Sequence, residues 1–337
     1  LYAEYNENAG VIKKVNGEEM LRRAALVLAV LTAAGIAAAT PFIGQGGGIT
    51  EEGHNDVRIN LFYEQFSGAY DAGGTYTAFV PGVSRLDYRI VFDLKYGNGR
   101  DSDFHITIPY VNKLHTLANG ALFTAAGIGD IIVLARKKSN ENKNSGGLLT
   151  VGMGLKIPTG KSVFEVEPGI LAAGTGTWDA GVVLNMQENS SGLLLFSDIS
   201  FWYRLGRSAQ KFAGQGIPAI KPGETEIRFM PGAILKYNAG VEISIIRQFS
   251  LVGELIGENY FESKAEYASG GADALNDLIA TGAPDYTLQK SVNLRVITGV
   301  KFYLNEKVAL GGGVSIPVTM ANVFGNITYL AHCRLFF

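Results

Sequence analysis

From residue 55 onward the chain alternates between apolar and polar positions. In Ser84 to Tyr96, Leu86, Tyr88, Ile90, Phe92, Leu94 and Tyr96 occupy every second place, opposed by Arg85, Asp87, Arg89, Asp93 and Lys95. Successive side chains of a strand point to opposite faces, so a period of two predicts strands with one apolar and one polar face. Asn55 to Phe66 repeats the pattern, setting Val57, Ile59, Leu61 and Tyr63 against Arg58, Asn60 and Glu64. Asn322 to Phe337 does so again, with Ile327, Tyr329, Ala331, Cys333 and Leu335 against Asn326, Thr328, His332 and Arg334. Further segments are Ser102 to Tyr110, Gly127 to Lys137, Gly147 to Pro158, Gly176 to Gln187, Gly192 to Leu205, Glu224 to Ile246, Phe249 to Glu262, Leu288 to Leu304 and Lys307 to Val318. Strands of about 11 to 14 residues recur, longer than the usual five or six, and tilted barrel strands that cross a bilayer need this length.

Glu224 to Ile246 is open to two readings, because Tyr237-Asn238-Ala239-Gly240 could form a hairpin turn. Kept whole, it gives twelve strands, and the connections then sort by length. Short ones (Gly97 to Asp101, Ser139 to Gly146, Glu188 to Ser191, Arg247-Gln248, Asn305-Glu306) fall on one side. Long ones (Ser67 to Val83, Val111 to Ala126, Thr159 to Thr175, Gly206 to Gly223, Ser263 to Thr287) fall on the other, with Thr319 to Ala321 the short exception. Bacterial single-chain barrels have an even strand number, short periplasmic turns and longer external loops. The expected fold is therefore all-β, a transmembrane antiparallel β-barrel of about twelve strands over 55–337, with fourteen as the alternative. Both strand ends then lie in the periplasm. The aromatic ending at Phe337 resembles the closing strand of outer-membrane barrels, which implies the outer-membrane assembly machinery as a partner. Tyr63, Tyr88, Tyr96, Tyr110, Trp202, Tyr203, Tyr237, Tyr260 and Tyr303 fall toward strand ends, where interfacial aromatic girdles sit.

Composition narrows the class. Charged residues are 18% of the 337, below the roughly 25% of ordinary soluble domains, and hydrophobic residues reach 47% with 43 glycines. After residue 40 there is no apolar run long enough for a membrane helix, so a membrane location would require a closed barrel. A net charge of -2 without basic clusters argues against nucleic acid as a partner. The single cysteine, Cys333, forbids an intrachain disulfide and is expected to face lipid. Met20-Leu21-Arg22-Arg23, the apolar run from Ala24, and Ala37-Ala38-Ala39 before Thr40 have the order of a secretory signal peptide. The expected organisation is an upstream extension over 1–19, a signal peptide over 20–39, a short periplasmic linker over 40–54 and the barrel after it.

The inward face is polar and of mixed sign. Arg58, Glu64, Arg85, Asp87, Arg89, Asp93, Lys95, Asp130, Lys156, Asp198, Arg204, Arg228, Lys236, Glu254, Arg295, Lys301 and Arg334 are expected to point into the lumen. Arg85, Arg89, Asp93 and Lys95 are the candidates for a constriction, and Asp130, Lys156 and Asp179 for one wall of the solute path. Buried charges must be paired or hydrated, so the same residues suit a charge-lined aqueous passage or a closed barrel filled by ion pairs. Histidines 54, 105, 115 and 332 form no metal-spaced pair, and no Gly-x-Ser-x-Gly elbow occurs, so a barrel hydrolase is the weaker rival and no cofactor is called for. An adhesion or receptor barrel would use the long loops 206–223 and 263–287.

Three glycine-centred motifs stand out: Gly127-Ile128-Gly129-Asp130, Lys156-Ile157-Pro158-Thr159-Gly160, and Gly174-Thr175-Gly176-Thr177-Trp178-Asp179. In this order they resemble the outer-membrane family named for the meta-cleavage pathway of phenol degradation, a relative of the long-chain fatty-acid transporters. The resemblance implies passage of small, often apolar or aromatic compounds across the bacterial outer membrane. The amino-terminal plug of the fatty-acid transporters has no counterpart in the short stretch before the first strand. If translation begins at Met20 and processing follows Ala39, peptides from Leu1 to Glu19 will be absent from mass spectra of the cellular precursor, and the mature chain will start at Thr40. Recovery of those peptides would refute the assignment.

Overall fold

The computed structural model describes residues 48–142, 146–162, 166, 170–190, 192–210, 226–267, 290–321 and 323–337. The expected upstream extension, the signal peptide and the linker up to residue 47 lie outside the described residues. The strands are β1 (Asn55–Tyr70), β2 (Tyr76–Ala78), β3 (Ser84–Gly99), β4 (Ser102–Thr116), β5 (Leu122–Ile128), β6 (Ile131–Asn142), β7 (Gly147–Ile157), β8 (Asp179–Ser190), β9 (Leu193–Arg204), β10 (Arg207–Gln210), β11 (Glu226–Met230), β12 (Ile234–Ile246), β13 (Phe249–Tyr260), β14 (Lys264–Tyr267), β15 (Ser291–Tyr303), β16 (Val308–Ala321) and β17 (Val323–Phe336).

Twelve of them form a closed antiparallel wall in the order β1-β3-β4-β6-β7-β8-β9-β12-β13-β15-β16-β17, and β17 pairs back onto β1. The closing seam runs from Asp56 opposite Phe336 to Tyr70 opposite Val323, with one bulge between Phe66 and Gly68. At its end Asn55 N donates to Phe337 O (2.6 Å) and Phe337 N to Asn55 O (3.0 Å). The aromatic terminus therefore completes the ladder. Short turns lie at one end of the barrel, the turn end, and longer connections at the other, the loop end. At the turn end Lys138 Nζ lies 2.7 Å from Asp101, and this hydrogen bond holds the Asp101 carboxyl below the usual carboxylate range.

Three expectations about strand limits need correction. The connection Val111 to Ala126 is mostly strand: β4 and β5 stay paired from Tyr110 opposite Ile128 to Thr116 opposite Leu122, leaving a tight turn closed by Leu117 N donating to Ala121 O. The segment Gly127 to Lys137 is not one strand, because Gly129 and Asp130 separate β5 from β6. Glu224 to Ile246 is interrupted at Pro231-Gly232-Ala233, although Tyr237 to Gly240 does lie in mid-strand, as the twelve-strand reading requires. Pro231 has no N–H to give a ladder, and a Cβ on Gly232 would lie 2.0 Å from Phe261 O. Beyond this break β10, β11 and β14 form a separate three-stranded sheet. Arg228, expected in the lumen, belongs to that sheet and is exposed.

The wall inverts the faces of a water-soluble protein. Large apolar side chains stand exposed on the outside, among them Phe92 at 43%, Met153 at 73% and Ile199 at 51%, while Arg58, Lys95, Arg136 and Lys301 are buried inside. A closed sheet with this polarity suits hydrocarbon outside and a polar interior. No helix among the described residues is long and apolar enough to cross a membrane. Tyr63, Tyr88 and Tyr329 are in register on the outer face across the closing seam, with ring centroids 5.2 and 5.9 Å apart. Trp202, Tyr260 and Tyr303 leave the expected girdle and point inward, and for Trp202 the reason is local. Tyr203 and Trp202 are chain neighbours, so only one of them can face out, and Tyr203 does so at 60% exposure.

Residues 48 to 54 cross the turn end as a strap. Gly53 N donates to Gly97 O (3.0 Å), Gly97 N to His54 O (3.1 Å), Thr50 N to Asp103 Oδ2 (3.0 Å) and Gly48 N to Gln187 Oε1 (3.0 Å). A Cβ on Gly97 would fall 1.9 Å from Glu51 O, which is main chain and has no side-chain freedom with which to yield. Gly97→Ala should therefore unseat the strap at a cost of about 1–3 kcal/mol. The folded form would then convert to the unfolded one at a lower temperature in a heat-modifiability gel, and an unchanged transition would contradict the seating of the strap.

Candidate functional site

The lumen has two parts. Near the turn end every wall strand contributes an inward side chain no more than 5% exposed, from Arg58 on β1, Lys95 on β3 and Asp103 on β4 round to Lys301 on β15, Ala309 on β16 and His332 on β17. The charges in this layer are paired. Arg136 Nε and Nη2 donate to the two oxygens of Asp103 at 2.9 and 2.6 Å, and Nη2 also donates to Gly48 O of the strap at 3.0 Å. Lys301 Nζ donates to Glu242 Oε2 (3.0 Å), and Tyr303 Oη to Glu242 Oε1 (2.6 Å). Arg58 and Arg334 share Asp56, each at 2.9 Å. Ions taken this far from water persist only with such partners.

Above this layer lies a cavity of about 600 Å³. Its bottom is formed by Asn60, Asp93, His105, Thr107 and Asp198. Asp93 accepts from Thr107 Oγ1 (2.6 Å) and Asn60 Nδ2 (3.2 Å), and His105 Nε2 lies 3.1 Å away. Around the cavity runs an apolar belt of Phe62, Val91, Leu134, Val183, Trp202, Ile234 and Ile297. Among them stand compensated charges. Arg89 is 3.7 Å from Glu64, with its guanidinium carbon 4.6 Å from the Phe62 ring centroid, and Lys236 Nζ donates to Glu258 Oε1 at 2.8 Å.

The structure brings Asp130, Lys156 and Asp179 together: Lys156 Nζ is 3.3 Å from Asp130 and 2.7 Å from Asp179, and Arg204 lies 3.9 Å from Asp179. The three glycine motifs meet here. Asp130, at the break between β5 and β6, accepts from Gly160 N (3.3 Å), Thr175 N (2.8 Å) and Thr175 Oγ1 (2.7 Å), while Lys156 also bonds Thr175. A Cβ on Gly160 would come within 2.8 Å of Gly174 Cα and 3.0 Å of Gly129 Cα, so three chain segments touch through glycines. The motifs thus latch the β7–β8 connection against the wall. The same connection reaches into the lumen at Leu171 to Ala173, where Lys113 Nζ donates to Ala172 O (2.9 Å) and Leu171 N to Thr124 O (2.8 Å).

The four residues read as one constriction do not share a level. Ten residues along a strand span about 33 Å at the usual rise. Arg85 accordingly lies near the loop end, 5.8 Å from the Phe79 ring, and Arg89 stands beside Phe62. Asp93 forms the cavity bottom, and Lys95 is buried beneath it. Asp103, Arg136, Glu242 and Glu258 are not among the residues the sequence singles out, yet parity points to all four: Glu242 is six places after the inward Lys236, and Glu258 four places after the inward Glu254. Asp103 is two places before the inward His105, and Arg136 six places after Asp130.

No protein-family model matches the chain, and no curated protein does. Among solved structures the fold is similar to that of an outer membrane channel from Pseudomonas putida F1, with a TM-score of 0.67 over 89% of this chain and 100% of that chain, at 12% identity. The likeness is one of fold. Looser likenesses are to the NanC porin (TM-score 0.44, 8% identity, 83% of this chain and 98% of that one) and to the translocator domain of the autotransporter NalP from Neisseria meningitidis (0.40, 13%, 94% and 95%).

Asp130→Asn should weaken the latch by about 3 kcal/mol, because it leaves a buried lysine with less countercharge. Unfolding followed by tryptophan fluorescence would show a lower midpoint, whereas Asp101→Asn at the exposed turn pair would leave it where it is. Equal effects of the two would contradict the latch.

Proposed function

We propose that the chain is an outer-membrane channel or transporter for small solutes, favouring apolar or aromatic ones. One observation carries this reading: a closed barrel with an apolar exterior encloses a cavity of about 600 Å³ whose wall combines an apolar belt with charges most of which stand beside opposite ones. Paired charges give the cavity little net field, so a small uncharged molecule enters without leaving an ion uncompensated. The fold likeness to an outer membrane channel supports the same reading at the level of architecture. The buried layer beneath the cavity means that release at the turn end requires that layer and the strap to shift. Conduction is then expected as small, intermittent steps rather than one wide, constant level. Arg85, Arg89, Asp93 and Lys95 would line successive levels of the path, and Asp130, Lys156 and Asp179 would hold its wall.

The test is reconstitution of the full chain, with single-channel recording and uptake of an aromatic alcohol into proteoliposomes. Uptake above that of empty vesicles supports the proposal, and a folded, heat-modifiable barrel that neither conducts nor takes up the probe refutes it. Arg89→Ala leaves Glu64 without its cation and should shift ion selectivity toward cations by about fivefold, the equivalent of roughly 1 kcal/mol for a unit charge at 4 Å in water. Unaltered selectivity in a conducting barrel would count against a lumen role for Arg89.

A further inference from the structure

Trp202 is the largest side chain facing the cavity, and it does not fill it. The reason lies in the two strands beside it. Trp202 on β9 is in register with Gly181 on β8, which is in register with Gly154 on β7. All three positions face inward. A Cβ on Gly181 would lie 2.5 Å from Trp202 Cδ2 and 2.6 Å from Cε3, and a Cβ on Gly154 would lie 2.6 Å from Cη2. The indole therefore lies along the wall over both glycines instead of standing across the lumen. Its Nε1 donates to Ser200 Oγ at 3.1 Å, which holds it in this orientation without a partner from the far wall. Two consecutive glycines in one inward row leave a recess one side chain deep, and the ring occupies it.

We infer that Gly154 and Gly181 set the bore of the cavity, by keeping the Trp202 ring in the wall. The assignment rests on the solute-passage reading above and deepens it, since it makes size at this level, rather than charge, the property by which the barrel discriminates. A Cβ closer than 3 Å to a ring atom cannot be absorbed by a small adjustment, because the indole is rigid and moves as a whole about χ1 and χ2. It would swing inward, into the cavity.

The experiment uses the full chain in proteoliposomes with a series of uncharged polyols and sugars of increasing size. Gly181→Ala and, independently, Gly154→Ala should cut passage of the larger probes several-fold and spare the smallest. Trp202→Ala should admit larger probes than the unmodified chain. The double variant Gly181→Ala, Trp202→Ala should behave like Trp202→Ala, because the added methyl then has nothing to displace. A size cut-off unchanged in both alanine variants overturns the inference, as does a double variant that stays narrow. Acrylamide quenching of Trp202, read in a Trp178→Phe background, gives a second readout that needs no transport. Greater quenching in Gly181→Ala supports the recess, and unchanged quenching overturns it. If no form of the barrel passes any probe, the passage reading is what fails, and quenching alone decides whether the recess exists.

Discussion

The structure depends on closure of a backbone hydrogen-bond ladder. A sheet placed in hydrocarbon cannot leave an edge, since each unsatisfied N–H or C=O there costs several kcal/mol. The β1–β17 seam removes both edges at once, and the main-chain pair between Asn55 and Phe337 extends it to the last residue. Everything else follows from that cylinder. Alternation now means inside and outside rather than two faces of a layer, and each connection is assigned to the turn end or the loop end. Where the ladder is interrupted, other groups take over. At the break between β5 and β6, Gly129 N donates to Pro109 O, and Thr159 Oγ1 donates to Gly129 O and accepts from Ile131 N.

Closure also explains a charged interior in a barrel too narrow to hydrate it fully. A one-residue slip of any strand would exchange its two faces. For β3 that slip would place Arg89, Asp93 and Lys95 on the apolar outer face, which in a barrel surrounded by lipid would cost about 2–4 kcal/mol for each basic residue near the midplane. Inward charges therefore fix the register, and the ion pairs at the turn end are the form those charges take once they face one another. The Asp103–Arg136 pair joins the adjacent strands β4 and β6, and Glu242 on β12 reaches Lys301 and Tyr303 on β15 across β13, so both groups form only once those strands have paired in register.

This order of events separates what the sequence shows from what it hides. The wall strands were legible, because alternation and strand length are local. The single strand through Tyr237 to Gly240 was legible too, because only that choice sorts the connections by length. The grouping of Asp130, Lys156 and Asp179 followed from motifs close to one another along the chain. Strand rise sets Arg85, Arg89, Asp93 and Lys95 at successive levels of β3, so residues close in sequence on one face do not make a single constriction. The strap was hidden for a different reason: its partners Asp103, Gln187 and Arg136 are brought together by the barrel's register, and nothing in Gly48 to Thr50 announces them.

Register also changes what glycine means. In the sequence Gly154 and Gly181 are two glycines among 43, each a weak point in a strand by propensity. In the closed wall they are successive members of one inward row, next to the residue that most needs the space. Charge and size then play different parts in the lumen. Lys156 is held close to Asp130 and Asp179, and Lys236 to Glu258, so at these positions the fields largely cancel where a solute would pass. Side-chain volume has no such compensation. One ring turned from the wall into the lumen would narrow the cavity regardless of the charge on what enters it.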